Sequence, residues 1–190
     1  TRIIEDEGYE AVPIFPNPTE VLAQGVPVAD GKVAPNVHPD FTYSAVAAGV
    51  AEISYSGFLF TPEFGSRQRF HMIITDAEFE PTPILKSSVC DNCGKCADAC
   101  PLGAISKTDY DIIDICGKKM KVARIDYAKC VHCKNGVKLN RFISGGKPDR
   151  IAALCNRTCI CHLEEKGLVK NIFKNKFRQN KAWALDIDGN

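Results

Sequence analysis

Cys90, Cys93, Cys96 and Cys100, the last followed at once by Pro101, are spaced C-x2-C-x2-C-x3-C-P. Thiolate is a soft ligand, and two-residue gaps let three thiolates converge from one tight loop onto neighbouring metal atoms, while the fourth is carried off by three further residues. This spacing holds a cubane [4Fe–4S] cluster through three cysteines and lends the fourth to a second cluster. It therefore predicts a second set of cysteines. Cys130-Val131-His132-Cys133 and Cys155-Asn156-Arg157-Thr158-Cys159 supply one, as C-x2-C, an insertion, and C-x3-C. By the crossover usual in paired sites, Cys90, Cys93 and Cys96 take Cys159, and Cys130, Cys133 and Cys155 take Cys100. Eight of the ten cysteines are then ligands.

The elements that must position these thiols are partly readable. Pro148-Asp149 reads as a helix start and Gly167 as its stop, which places Ile151, Cys155 and Cys159 on one face and turns Cys161 away. Cys161 and Cys116 read as free thiols, buried or part-exposed. Ile125-Asp126-Tyr127-Ala128-Lys129, leading into Cys130, reads as the short strand and turn that opens a ferredoxin half. His132 is expected to stay off the metal because the cysteines already suffice. Lys95 and Lys129, beside ligand cysteines, either favour the reduced state of a cluster or are ordinary solvated lysines.

Two rival chemistries use many cysteines. Disulfides suit small secreted chains, and this one shows no secretory segment. Zinc sites come as two separated pairs, whereas a three-cysteine comb ending in Cys-Pro favours iron–sulfur.

At 45% hydrophobic and 25% charged, with a formal net charge of +1 over 190 residues, the chain has no long-range electrostatic preference. Its apolar runs, such as Ala45 to Ala51 and Met72 to Ile74, are too short to span a bilayer. It reads as a cytoplasmic protein. The first residue is Thr1 rather than methionine, and an upstream portion is expected.

In the first half, Arg2 to Glu7 reads as the end of a helix stopped by Gly8, Tyr9 to Ile14 as a strand, and Ser44 to Gly49 as a helix. Phe58 to Phe60 and Arg69 to Thr75 read as strands. Imperfect alternation in the latter implies burial on both faces, in a sheet covered by helices. The proline-rich stretch from Pro16 to Pro39 reads as a connector or as a lid over a cofactor. The fold class is α+β: a partial α/β domain over 1–84, a ferredoxin-like two-cluster [4Fe–4S] module over 85–168, and a tail over 169–190. Lys170, Lys174, Lys176, Arg178 and Lys181 in that tail are interleaved with Phe173 and Phe177. They read as a solvated arm whose phenylalanines pack on the domain, and a nucleic-acid face is not expected.

Ala47-Ala48-Gly49-Val50-Ala51-Glu52-Ile53, Ser56-Gly57-Phe58-Leu59-Phe60-Thr61-Pro62-Glu63-Phe64-Gly65-Ser66-Arg67 and Thr75-Asp76 resemble a segment of the corrinoid-dependent reductases, the group of epoxyqueuosine reductase and the reductive dehalogenases. The resemblance continues through Cys155 to Cys159 and His162-Leu163-Glu164-Glu165. It implies that the first part belongs to a nitroreductase-like cofactor domain and that a corrinoid (cobalamin) is a possible partner of the clusters. Two function classes follow. In one the chain is an electron carrier passing single electrons between a redox partner protein and an acceptor. In the other it is the electron-input part of a corrinoid-dependent reductase. For the second, Tyr43, Tyr55 and His71 are candidate proton donors, and Arg67, ahead of Arg69, is a candidate clamp for a cofactor phosphate or carboxylate, with core packing the competing reading for the tyrosines.

Overall fold

The computed structural model describes residues 1–14, 26–27, 29–32, 39–141, 146–174 and 181–190. Most of the proline-rich stretch, together with Lys176, Phe177 and Arg178 of the tail, lies outside the described residues, as does the expectation of a lid. In chain order the elements are α1 (Arg2–Asp6), β1 (Ala11–Ile14), α2 (Phe41–Ala47), β2 (Glu52–Ile53), β3 (Leu59–Phe60), β4 (Met72–Thr75), α3 (Lys95–Asp98), β5 (Ile105–Ile115), β6 (Lys118–Ile125), α4 (Tyr127–Cys130) and α5 (Leu154–Glu165). Among the described residues the strands form three two-stranded antiparallel sheets, β1 with β4, β2 with β3, and β5 with β6. No described helix is long and apolar enough to cross a membrane.

The expected helix-covered sheet is corrected here. β4 pairs with β1 alone, in the register Ala11↔Thr75 to Ile14↔Met72, and Val12, Ile73 and Ile74 are exposed. A four-residue apolar run satisfies a buried strand and an exposed ribbon equally well, so periodicity could not separate them. Pro13 sits in β1, where an edge strand tolerates its missing donor.

The long hairpin β5–β6 organises the rest. Its two turn residues both have positive φ, Cys116 at 51° and Gly117 at 83°, as a type I′ turn requires, and Asp114 Oδ1 accepts from Gly117 N at 3.0 Å. Its open end joins the two cysteine regions: Ile105 pairs with Ile125, and Asp126 N donates to Ala104 O at 2.8 Å. The chain leaving Cys100 is thus laid beside the chain entering Cys130. The expected turn before Cys130 is helical, with Asp126 capping α4 by accepting from Lys129 N at 3.1 Å.

α5 begins later than Pro148-Asp149 suggested. Asp149 is held in a bridge with Lys138, and its Oδ1 accepts from Ile151 N at 3.0 Å, so Ile151 precedes the helix instead of sharing its face. The end is as expected: Gly167 N donates to Glu164 O and Leu168 N to Leu163 O, a Schellman closure. Cys155, Cys159, Ile160 and Leu163 are buried on α5. They share one core with Tyr55 and Phe60 from the first part, Val89, Cys96 and Ile105 from the middle, and Val169 from the tail. The segments read as 1–84, 85–168 and 169–190 therefore all contribute to a common core. A smaller cluster of Val46, Ile53, Ile115 and Met120 fixes the hairpin to α2.

Candidate metal centre

The first cysteine loop curls tightly because Asn92 and Gly94 take left-handed conformations, φ 55° and 76°, before the single turn of α3. α3 packs on α5, which brings Cys96 and Cys159 together in the core. Burial pushes the Cys96 thiol up to about 12, with Cys90, Cys155 and Cys93 adding to it. Burial also raises Cys159, and nearby Cys96, Cys90, Cys93 and Asp91 add to it. Cys90 is part-buried, and Cys93 faces solvent.

The loop is anchored from the first part of the chain. Buried Glu52 on β2 accepts with Oε1 from Val89 N at 2.8 Å and Cys90 N at 2.6 Å. Its Oε2 lies 3.0 Å from Lys118 Nζ, off the line of a hydrogen bond, so that contact is an ion pair. Lys118 Nζ is satisfied by Leu85 O at 2.7 Å and Ser87 O at 3.2 Å. Tyr55 N donates to Cys90 Sγ at 3.4 Å. At the loop's outer edge His162 Nε2 lies 2.7 Å from Asp91 Oδ2, and Asp91 Oδ1 accepts from Cys93 N at 3.2 Å. Burial works against the Asp91 carboxylate, but its bonds with His162 and Cys93 outweigh it and hold the group below the usual carboxylate range.

Cys100, Cys130, Cys133 and Cys155 line one narrow cavity whose remaining walls are apolar, including Leu102, Val137 and Leu154. Burial raises Cys155 to about 11 and also raises Cys130, while the Arg150 guanidinium pulls both the other way. Ala104 N donates to Cys100 Sγ at 3.2 Å. The close packing behind this cavity depends on Gly136, with φ 89°: a Cβ there would lie 2.4 Å from Ala152 O, just before the helix that carries Cys155. Asn135, buried beside it, receives Trp183 N at 2.9 Å and donates to Ala184 O at 2.6 Å, which docks the C-terminal segment here.

The eight thiols expected as ligands thus fall into two groups of four, each drawn from both cysteine runs. Sulfur donors in an apolar surround, with amides aimed at two of them, suit iron–sulfur clusters. Cys116 is exposed at the hairpin tip, and Cys161 donates to Glu165 Oε1 at 3.6 Å. Exposed His132, Lys95 and Lys129 stand at the surface, with Lys129 3.4 Å from Asp126.

The other candidates are not gathered into one site. Tyr55 is buried and donates its hydroxyl to Ser106 O at 3.1 Å, and burial with nearby Cys96 raises its pKa. Tyr43 is exposed on α2, bordering an open cleft of about 510 Å³ that Asp40, Ile53, Gly57 and Arg124 also line. His71 is exposed just before β4. Arg67 binds inward: it pairs with Glu164 at 3.0 Å, donates to Phe64 O at 3.1 Å and to Asn171 O, and stacks on Phe173 at 4.2 Å. Arg69 pairs with Asp149 at 2.5 Å. Sequence reading missed Glu52, Asp91, His162 and Arg150, all distant in sequence from the side chains they meet.

Residues 83–106 match the 4Fe-4S binding domain family. Over 65 residues, 33% of this chain, the sequence is 46% identical to tetrachloroethene reductive dehalogenases of Desulfitobacterium hafniense and Dehalobacter restrictus. Over 62 residues it is 40% identical to epoxyqueuosine reductase of Bacillus subtilis. These matches span 12% of the dehalogenases and 16% of the epoxyqueuosine reductase, so the chain corresponds to a small part of either. Among solved structures, the catabolic reductive dehalogenase NpRdhA aligns with a TM-score of 0.49 and 18% identity, over 82% of this chain and 19% of that one. The chain is a mixed α/β protein with a ferredoxin-like iron–sulfur segment, homologous in part to reductive dehalogenases and epoxyqueuosine reductase.

Proposed function

We propose that the chain holds two [4Fe–4S] clusters and transfers single electrons within a larger redox system. Cys90, Cys93, Cys96 and Cys159 would hold one cluster, and Cys100, Cys130, Cys133 and Cys155 the other. When bound, the clusters supply one-electron storage. The residues of the chain exclude water, direct amides at Cys90 and Cys100, and set the local charge. The observation that carries this reading is the grouping of eight thiols, seven of them buried or part-buried, into two interlocked quartets, one of them lining a single apolar cavity. Anaerobically purified protein is expected to contain about eight iron and eight sulfide per chain. Four of each, or stoichiometric zinc, refutes the two-cluster reading.

A second reading is favoured by the relatives: the chain is the electron-input part of a corrinoid-dependent reductase, with residues 1–84 belonging to a nitroreductase-like cofactor domain. Two of the candidate residues for that cofactor are already engaged, the Arg67 fork by Glu164 and Asn171 and the Tyr55 hydroxyl by Ser106. Cobalt at one per chain in protein reconstituted with cobalamin would favour this reading. Absence of cobalt leaves the carrier, working with a separate redox partner protein.

A further inference from the structure

Arg150 is 5% exposed, yet among the described residues it pairs with no carboxylate. Of its five N–H donors, Nη2 reaches Ser56 O at 3.0 Å, while Nη1 is buried without a partner. The ring faces of Phe58 and Tyr127 lie 4.6 Å and 5.6 Å from the guanidinium carbon. Aromatic faces offer only a partial negative charge, and a buried cation normally needs a full one. Arg150 stands five residues before Cys155, and Tyr127, against which it packs, stands three before Cys130. The electrostatic influence of its guanidinium extends to both of those thiols.

We propose that Arg150 is the buried counter-ion of the second thiol quartet and raises the reduction potential of the cluster held by Cys100, Cys130, Cys133 and Cys155. This rests on the two-cluster reading above. Four thiolates outweigh the positive charge of the iron–sulfur core, so the assembly is an anion, and taking up one electron from an external reductant makes it more negative by one charge. A fixed neighbouring cation stabilises the reduced form more than the oxidised one. Arg150 touches no reacting atom and is a positioning residue for charge.

The test is a dye-mediated redox titration of the intact holoprotein, followed by electron paramagnetic resonance, on wild type, Arg150→Gln and Arg150→Lys. The expected result is that Gln lowers one of the two midpoints at least tenfold in the one-electron equilibrium, 59 mV, leaving the other in place, and that Lys restores most of the loss. Should Gln lose iron while Lys retains both clusters at wild-type midpoints, charge is again the operative property. Unchanged midpoints in an iron-replete Gln variant overturn the proposal. So does a Lys variant shifted as far as Gln, or iron loss in both, since then the shape of the fork and its bond to Ser56 matter rather than its charge. Wild-type protein without iron on the second quartet sinks the cluster reading itself, an outcome distinct from unchanged midpoints with full iron.

Discussion

The two thiol quartets have matching donor atoms and opposite surroundings. The first is reached by solvent at Cys93, bordered by Asp91 and His162, and hung from the buried Glu52–Lys118 pair. The second is enclosed by Leu102, Val137 and Leu154, with Arg150, which among the described residues has no carboxylate partner, buried against Phe58 and Tyr127 nearby in the chain. A repeat of cysteine spacing therefore says nothing about equivalence. What differs between the sites is contributed by residues from other parts of the chain, and if both hold clusters that difference would set which accepts an electron more readily.

The sharpest way to break this comparison is to remove the shared ligands. Cys100→Ala lies in the first cysteine comb but is expected to empty the second quartet, whereas Cys159→Ala empties the first, each leaving about half the iron. Iron analysis with electron paramagnetic resonance of each variant decides it, and loss of the same cluster from both variants contradicts the crossover. Next in size is Glu52→Ala. It strands Lys118 as a buried charge and frees the Val89 and Cys90 amides, and should cost about 3–5 kcal/mol in denaturant unfolding. Iron should also leave the first quartet faster than the second under a chelator.

Two glycines sharpen the comparison at a smaller scale. Gly49, with φ 70°, ends α2 where a Cβ would lie 2.2 Å from Pro83 O, in the segment leading to Cys90, whereas Gly136 occupies the corresponding close approach behind Cys155. Gly49→Ala should labilise the first cluster and Gly136→Ala the second, each at about 1–3 kcal/mol, as measured by thermal unfolding and chelator-driven iron release. The smallest effect is expected for Cys116→Ser at the exposed hairpin tip. Its stability should stay within about 0.5 kcal/mol of wild type with iron content unchanged, and iron loss there would mean that the ligand set is wrong.

Short-range features were legible in the sequence. The cysteine comb, the glycine stops at Gly8 and Gly167, and helix α2 all depend on spacing or backbone preference over a few residues. The hairpin was missed although its Cys116-Gly117 turn carries a two-residue signal, because neither flanking strand has clean alternation: β5 is buried only at its ends. Burial of β4 was misjudged because an apolar tetrapeptide does not state what covers it.

Residue order alone fixes the donor atoms and the tight loop over Cys90 to Cys96, since thiolate chemistry and reach over two or three residues are local properties. The crossover spacing already named Cys159 and Cys100 as the fourth members, whereas the charges that stand beside each quartet are set by the tertiary structure. Hairpin pairing at Ala104 and Asp126 brings Cys100 to Cys130, helix packing brings Cys159 to Cys96, and folding buries Arg150 against Phe58 and Tyr127. Coulombic influence depends on separation in space and on the exclusion of water, and neither is written in the order of residues.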